Sequence, residues 1–399
     1  MYDLIIRNGT IVSLEGGIKR GKNIDLNIKK NYDIGIKNKK ITKVGKIEQN
    51  AKFEIDANGR IVLPAFIDPH THSLFGGNRV NEFEMRIKGK SYMEIKESGG
   101  GIMDTVKKTR SLSETELYNN LQNNLIDMEK WGVCTVECKS GYGLEKNTEL
   151  KMLKVFKKAI SKGFSIVPTF LGAHDIPPEK QKDDYIREIL EIIPYISENN
   201  LAQFCDVFCE DGFFSKNESK KILIECKKNK LMCKIHADEI KSSGGAELAG
   251  EIGCISADHL IHPSKEGIEL MAKAGTIAVL LPGTSFYLGS DKPPIKQFRD
   301  KGIPIAIGSD FNPGSSPLKY LPIAGSIGAI HYRLTPEEVI AGITINAAYA
   351  SKLGDKKGSI EEGKDADIVI TKYKDFREIP YWIGENPVST LIKGGEIYG

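Results

Sequence analysis

Two histidines, His70 and His72, stand two residues apart at the end of an apolar run, IVLPAFIDPHTH (61–72). In extended backbone, side chains two apart share a face, so both imidazoles can aim at one point beyond a strand end. That spacing suits two ligands of a single divalent cation. Of the seven histidines, five follow apolar strand-like runs directly: His70, His72, His174 in FLGAH, His236 in CKIHADE and His259 in SADHL. Any one of them reads as a satisfied polar residue at a strand end, whereas five in the same relative position point to a shared site. Asp310 follows the last such run, in IAIGSDFNPGSSP, with Asn312 behind it. Alone it would be a turn-initiating Asp. Beside the histidines it can complete a mononuclear site and take a proton from activated water. Imidazoles with one carboxylate fit Zn²⁺ or Fe²⁺ better than Mg²⁺. Such an ion makes hydroxide available at neutral pH, so the expected chemistry is hydrolysis. Lys139 also ends a strand-like run, a position where some barrels carry a carboxylated lysine bridging two metals. Ser-Gly-Tyr-Gly follows it and reads as a substrate loop, so one metal is expected.

For these residues to meet, the chain between them must return repeatedly to one rim. Eight strand-like runs, at 62–68, 134–139, 166–172, 205–210, 233–237, 255–258, 276–281 and 303–308, alternate with helical periodicity at 114–131, 149–162, 183–198, 215–228, 245–250, 265–274 and 294–301. This rhythm predicts an α/β fold, a (β/α)₈ TIM-like barrel over 63–354, in which every strand ends on one face. An open doubly wound sheet is disfavoured because no G-x-G-x-x-G follows an early strand. Residues 2–62 read as short strands with Asn-Gly and Asn-Lys turns, and 365–370 and 388–399 are strand-like again. A small β-sandwich domain built from both termini, 1–62 plus 355–399, is therefore expected. The Lys/Asn-rich stretch 16–30 reads as an exposed loop or hairpin. The long connection 73–112, with SGGGI at 98–102, reads as a flexible loop or a cover over substrate.

Composition narrows the function classes. Lys+Arg 56 against Asp+Glu 53 leaves +3, and no dense basic run carries interleaved aromatics, so nucleic acid is not an expected partner. No apolar run reaches membrane-spanning length, and the first residues show no secretory pattern, so a cytoplasmic protein without membrane partners is expected. The seven cysteines form no C-x-x-C pair and read as small core residues rather than disulfide or metal partners.

The motifs together resemble the amidohydrolase superfamily and, more narrowly, its imidazolonepropionase family, essentially end to end. DPHTH, the histidine of KIHADE, ADHL and Asp310 carry the broader likeness. FGGNR (75–79), SGGGI, KSGYGLE (139–145), FLGAH, HADEI (236–240), LLPGTSFYL (280–288) and DFNPGSSP (310–317) carry the narrower one. The resemblance implies hydrolysis of the cyclic amide C–N bond of 4-imidazolone-5-propanoate to N-formimidoyl-L-glutamate, in histidine degradation. It implies His70, His72, His236 and Asp310 as ligands of one Zn²⁺ or Fe³⁺ ion per subunit, and a homodimer. It implies that Arg79, Tyr142, His174 and Glu239 contact substrate, and that Asn312, Gly314 and Ser315 line the same pocket.

These residue types suit that chemistry. An arginine offers a planar fork for the substrate carboxylate, from Arg79 or Arg110. His259 can donate to the developing oxyanion. Glu239 can hold a ring N–H and carry a proton to the leaving nitrogen, although it also fits the first turn of a helix. Tyr142 and Tyr92 are candidate pocket walls. Two alternatives remain: a deaminase of a nucleobase-like ring, to which Arg79 and the KSGYGL loop are ill suited, and a metal-free structural homologue, against which all four ligand types speak.

Overall fold

A strand flanked by helices on one side and a filled interior on the other has no solvent face, so it reads as a continuous run without alternation. Val133–Lys139 is such a strand: every residue is buried, including Glu137 and Lys139. The computed structural model describes residues 1–90, 94 and 98–398. Within them β6 (Phe66–Thr71), β7 (Val133–Lys139), β8 (Ser165–Ala173), β9 (Phe204–Cys209), β10 (Met232–Ala237), β11 (Ser256–His259), β12 (Ile277–Leu280) and β13 (Ile305–Ile307) form one parallel sheet in chain order. Its two ends meet where Asp310 N–H donates to His70 O at 3.0 Å and His72 N–H donates to Phe311 O at 3.0 Å. The result is a TIM-like barrel, as the rhythm predicts.

Helices cover the outside. In α3 (Glu114–Lys130), following α1 (Val80–Ile87) and α2 (Ile102–Ser111), the buried residues Leu117, Leu121 and Leu125 recur every fourth position, the spacing of one helical face. Its start is set by a reciprocal capping box between Ser113 and Glu116, and the helix Lys216–Lys228 begins with the same device at Ser215 and Glu218.

A second, mixed sheet joins both termini. Its order is β16 (Glu396–Tyr398), β15 (Val388–Lys393), β14 (Ile368–Thr371), β5 (Ile61–Pro64), β1 (Tyr2–Val12), β2 (Ile28–Lys37) and β3 (Lys40–Gly45), with β4 (Ala51–Asp56) also pairing with β1. The run expected as one strand at 62–68 is therefore two. Ile61–Pro64 pairs with β1 and β14 in the terminal sheet, and the chain passes through Ala65 into β6. Hydropathy alone does not mark this hand-over, because both strands are fully buried. The stretch 16–30 closes the hairpin between β1 and β2, with Ile28, Lys29 and Lys30 paired to Val12, Ile11 and Thr10, and Lys19 exchanges backbone hydrogen bonds with the Asn346 side chain at 2.8 and 3.0 Å, docking the loop on the barrel. Among its described residues, the connection 73–112 contains two helices, α1 and α2. Cys205 and Cys226 lie together as a disulfide pair, Cα atoms 6.3 Å apart, contrary to the expectation of core packing alone; the other five cysteines are free and buried.

Candidate metal centre and pocket

The end of β6 brings His70 and His72 to the rim, and β10 brings His236 opposite them. Their ligand nitrogens all lie within 4.8 Å of one another, and all three rings are buried. His70 Nδ1 donates to Asp258 Oδ2 at 2.6 Å, which fixes the tautomer and leaves Nε2 as a lone-pair donor. That Nε2 is buried and, among the described residues, without a hydrogen-bond partner. Buried ring nitrogens normally find one, so an inward-facing bare lone pair among two further imidazoles fits a cation. His236 Nδ1 lies 3.0 Å from Asp206 Oδ2, a second carboxylate behind a ligand. Burial, then neighbouring positive charge, hold the basicity of His70 well below the usual imidazole range, and burial does the same to His72 and His259. His236 differs: burial lowers its basicity, but the Asp206 carboxylate prevails and raises it above the usual imidazole value. Neutral imidazole is the form that binds metal, so an ion there would displace a proton. The residues therefore make a three-histidine site able to hold a metal ion.

Asp310 approaches the same point. Its Oδ1 lies 3.5 Å from both His70 Nε2 and His72 Nε2, while Oδ2 accepts from the Thr284 hydroxyl at 2.6 Å. Asp310 adopts φ 52°, the left-handed region that non-glycine residues rarely occupy. Asn312 holds that turn: its Nδ2 donates to Asp310 O at 2.7 Å, and its Oδ1 accepts the N–H groups of Gly314 and Ser315 at 2.8 Å each. His259 shares the left-handed conformation, φ 72°, and so turns off the end of β11 toward the rim.

A pocket of about 290 Å³ opens above these residues. It is lined by His72, His174, His236, His259 and Asp310, by Tyr142 and Glu239, and by Arg79, Asn312, Gly314 and Ser315. His70 lies beneath, fully buried. The four expected ligands, with Arg79, Tyr142, His174, Glu239, His259, Asn312, Gly314 and Ser315, are thus gathered at one place. His174 Nδ1 donates to Gly141 O at 2.9 Å, so its Nε2 is the acceptor available to the pocket, and its ring stacks on His72 at 4.8 Å. Glu239 lies between β10 and the helix Gly245–Ile252 rather than in a first helical turn. Burial, then the Asp310 charge, push its carboxyl up to about 8, and its Oε1 lies 3.5 Å from His259 Nδ1.

Other candidates fall elsewhere. Lys139 is fully buried beneath the floor, with Nζ donating to Glu137 at 2.8 Å and Asp206 at 2.6 Å. It is a counter-ion for the carboxylates behind the histidines, and those charges keep it an ammonium. Arg110 points away, to the carbonyl groups of Gly143 and Leu144 and to Glu179. Tyr92 lies outside the described residues. Sequence reasoning missed Arg86, Phe208 and Phe213, which also line the pocket. Arg86 lies seven residues beyond Arg79, two helical turns along the same face, and that periodicity was the available signal.

The amidohydrolase family profile matches residues 61–398. An imidazolonepropionase of Bacillus velezensis is 43% identical over 405 residues, spanning 99% of this chain and 96% of that protein. An imidazolonepropionase of Caldanaerobacter subterraneus subsp. tengcongensis is 46% identical over 369 residues, 91% of this chain and 89% of that protein. Among solved structures, a zinc-bound adenosine deaminase from Xanthomonas campestris superposes with a TM-score of 0.75 at 16% identity, covering 99% of this chain and 92% of that one. At that identity the likeness speaks for the fold alone.

Proposed function

This chain belongs to the amidohydrolase family, and from that premise we propose that it hydrolyses the cyclic amide C–N bond of 4-imidazolone-5-propanoate to N-formimidoyl-L-glutamate, in histidine degradation. The observation that carries this reading is that Arg79 and Arg86 line the same pocket as His72, His236 and Asp310. A substrate with a hydrolysable ring at one end and a carboxylate at the other fits that polarity. A nucleobase lacks the acidic substituent that the arginines suit.

In this reading His70, His72, His236 and Asp310 Oδ1 hold one zinc or iron ion. The ion supplies the Lewis acidity that makes water a nucleophile near neutral pH. Arg79 forks onto the propanoate, and Tyr142 and His174 Nε2 orient the ring. As the water oxygen bonds to the ring carbonyl carbon, Asp310 takes one of its protons, and His259, neutral through burial, donates an N–H to the carbonyl oxygen as charge builds there. Glu239, protonated below about 8, delivers its proton to the ring nitrogen as the carbonyl carbon–nitrogen bond breaks. Asn312, Gly314 and Ser315 face the product. We place the protein in the cytoplasm as a homodimer, by likeness to the family; among the described residues no helix is long and apolar enough to cross a membrane. The terminal segments 1–62 and 355–399 are taken as one composite domain beside a catalytic domain over 63–354.

The test is direct. The metal-loaded protein is mixed with 4-imidazolone-5-propanoate, and ring absorbance and ammonia are followed together. Loss of the ring without ammonia is expected. Release of ammonia would favour a deaminase, and an unchanged ring would end the proposal.

A further inference from the structure

We propose that Arg86 is a second carboxylate-recognition residue of this pocket and that Glu82 is the positioning residue that sets it beside Arg79; this rests on the substrate reading above. The Glu82 carboxylate is 5% exposed, although it sits on the short α1. It accepts Arg79 Nε and Nη2 at 2.7 Å each, and Arg86 Nη2 as well. It also accepts the Gly101 N–H at 2.9 Å, at the start of α2. Arg86 then reaches across the pocket wall, where its Nη1 donates to Gly314 O at 3.0 Å. Gly314 touches both cations: a Cβ there would lie 1.9 Å from Arg79 Nη1.

Two guanidinium groups share one carboxylate, so this wall carries one surplus positive charge. Both arginines line the pocket and are mostly buried, with side chains 11% and 25% exposed. Among the described residues, the hydrogen bonds of Arg86 engage only Nη1 and Nη2, so its Nε–H remains to donate. A guanidinium held by a carboxylate on one edge presents its remaining N–H groups in a fixed direction, the arrangement that favours bidentate capture of an acid. A lone surface arginine needs no such brace. Glu82 is buried and serves two arginines and a backbone N–H, so its position is determined from three sides.

The test compares kcat/KM for 4-imidazolone-5-propanoate with that for its propanamide analogue, which keeps the ring and loses the charge. The wild-type protein should prefer the acid strongly. Arg86→Met should lower the acid-to-amide ratio at least tenfold, Arg86→Lys less, and Glu82→Gln at least fivefold. Damage that is only structural lowers both substrates alike and leaves the ratio standing. A ratio within twofold of wild type in Arg86→Met overturns the role of Arg86, and the same in Glu82→Gln overturns that of Glu82, with the functional reading intact. A wild-type protein inert toward the acid overturns both the inference and that reading.

Discussion

At the residue scale the site separates groups that would hold an ion from groups that would move protons. Glu239 and His259 line the pocket but lie outside the cluster of ligand nitrogens. Glu239→Gln removes the transferable proton and keeps the volume, so turnover should fall by about 10²–10⁴. His259→Ala removes an oxyanion donor and should cost about 10²–10³. Both variants should retain metal at the wild-type stoichiometry, measured by elemental analysis; loss of metal from either would show that residue to be a ligand instead. Gly314→Ala is a different case. Its Cβ meets Arg79 Nη1 at 1.9 Å, so the guanidinium must leave its place. Loss of a charged hydrogen-bonded fork amounts to about 1.5–3 kcal/mol, so KM should rise roughly tenfold or more. The sequence showed which types would gather, because His70 and His72 share a strand face and Asp310 ends a strand. It did not show Arg86, because α1 lies inside a connection whose Gly-rich end reads as loop, and a helix of eight residues leaves a weak periodic trace.

At the element scale the loop after β7 shows how a single buried carboxylate can shape a pocket wall. Glu149, in the helix Lys146–Ser161, accepts the N–H groups of Gly141, Gly143 and Leu144 at 2.7–3.1 Å. The loop so held carries Tyr142 and the carbonyl of Gly141 that fixes His174. Glu149→Ala leaves those buried N–H groups without partners and should destabilise the protein by about 3 kcal/mol or more, read by urea unfolding. Burial raises the Glu149 carboxyl above its ordinary value. The folded state then binds the proton more tightly than the unfolded one, so this group's contribution is full at low pH and is lost as pH rises from the ordinary carboxyl range through the raised value. Glu149→Gln should therefore be stabilised relative to wild type as pH rises through that window; a difference that does not change with pH would refute it. The strands and helices of the barrel were legible because their apolar runs and capping boxes are local. The hand-over from β5 to β6 was not, since burial on both sheets erases the boundary between them.

At the scale of the whole molecule one part of the terminal sheet packs into the apolar cluster of the barrel, while Leu4, Ile34, Ile368 and Ile392 belong to a second cluster within that sheet. Leu63 and Val369 of the terminal sheet belong to the same buried cluster as Phe66, Cys134 and Met128 of the barrel. Glu129, at the end of α3, receives Lys393 Nζ and the Tyr398 hydroxyl from the last two strands, and Asn386 Nδ2 donates to Lys130 O at 2.8 Å. β6, which carries His70 and ends one residue before His72, follows β5 after a single residue. An ion that binds only the folded site stabilises by mass action, about 4 kcal/mol at a thousandfold excess over its Kd. Chelation should then lower the melting temperature of the entire chain by several degrees in calorimetry, as one transition. His236→Ala should melt at the chelated temperature and show no further shift with chelator. Two resolved transitions, only one of them sensitive to chelator, would mean that the terminal sheet folds independently of the barrel and that the shared core does not couple them.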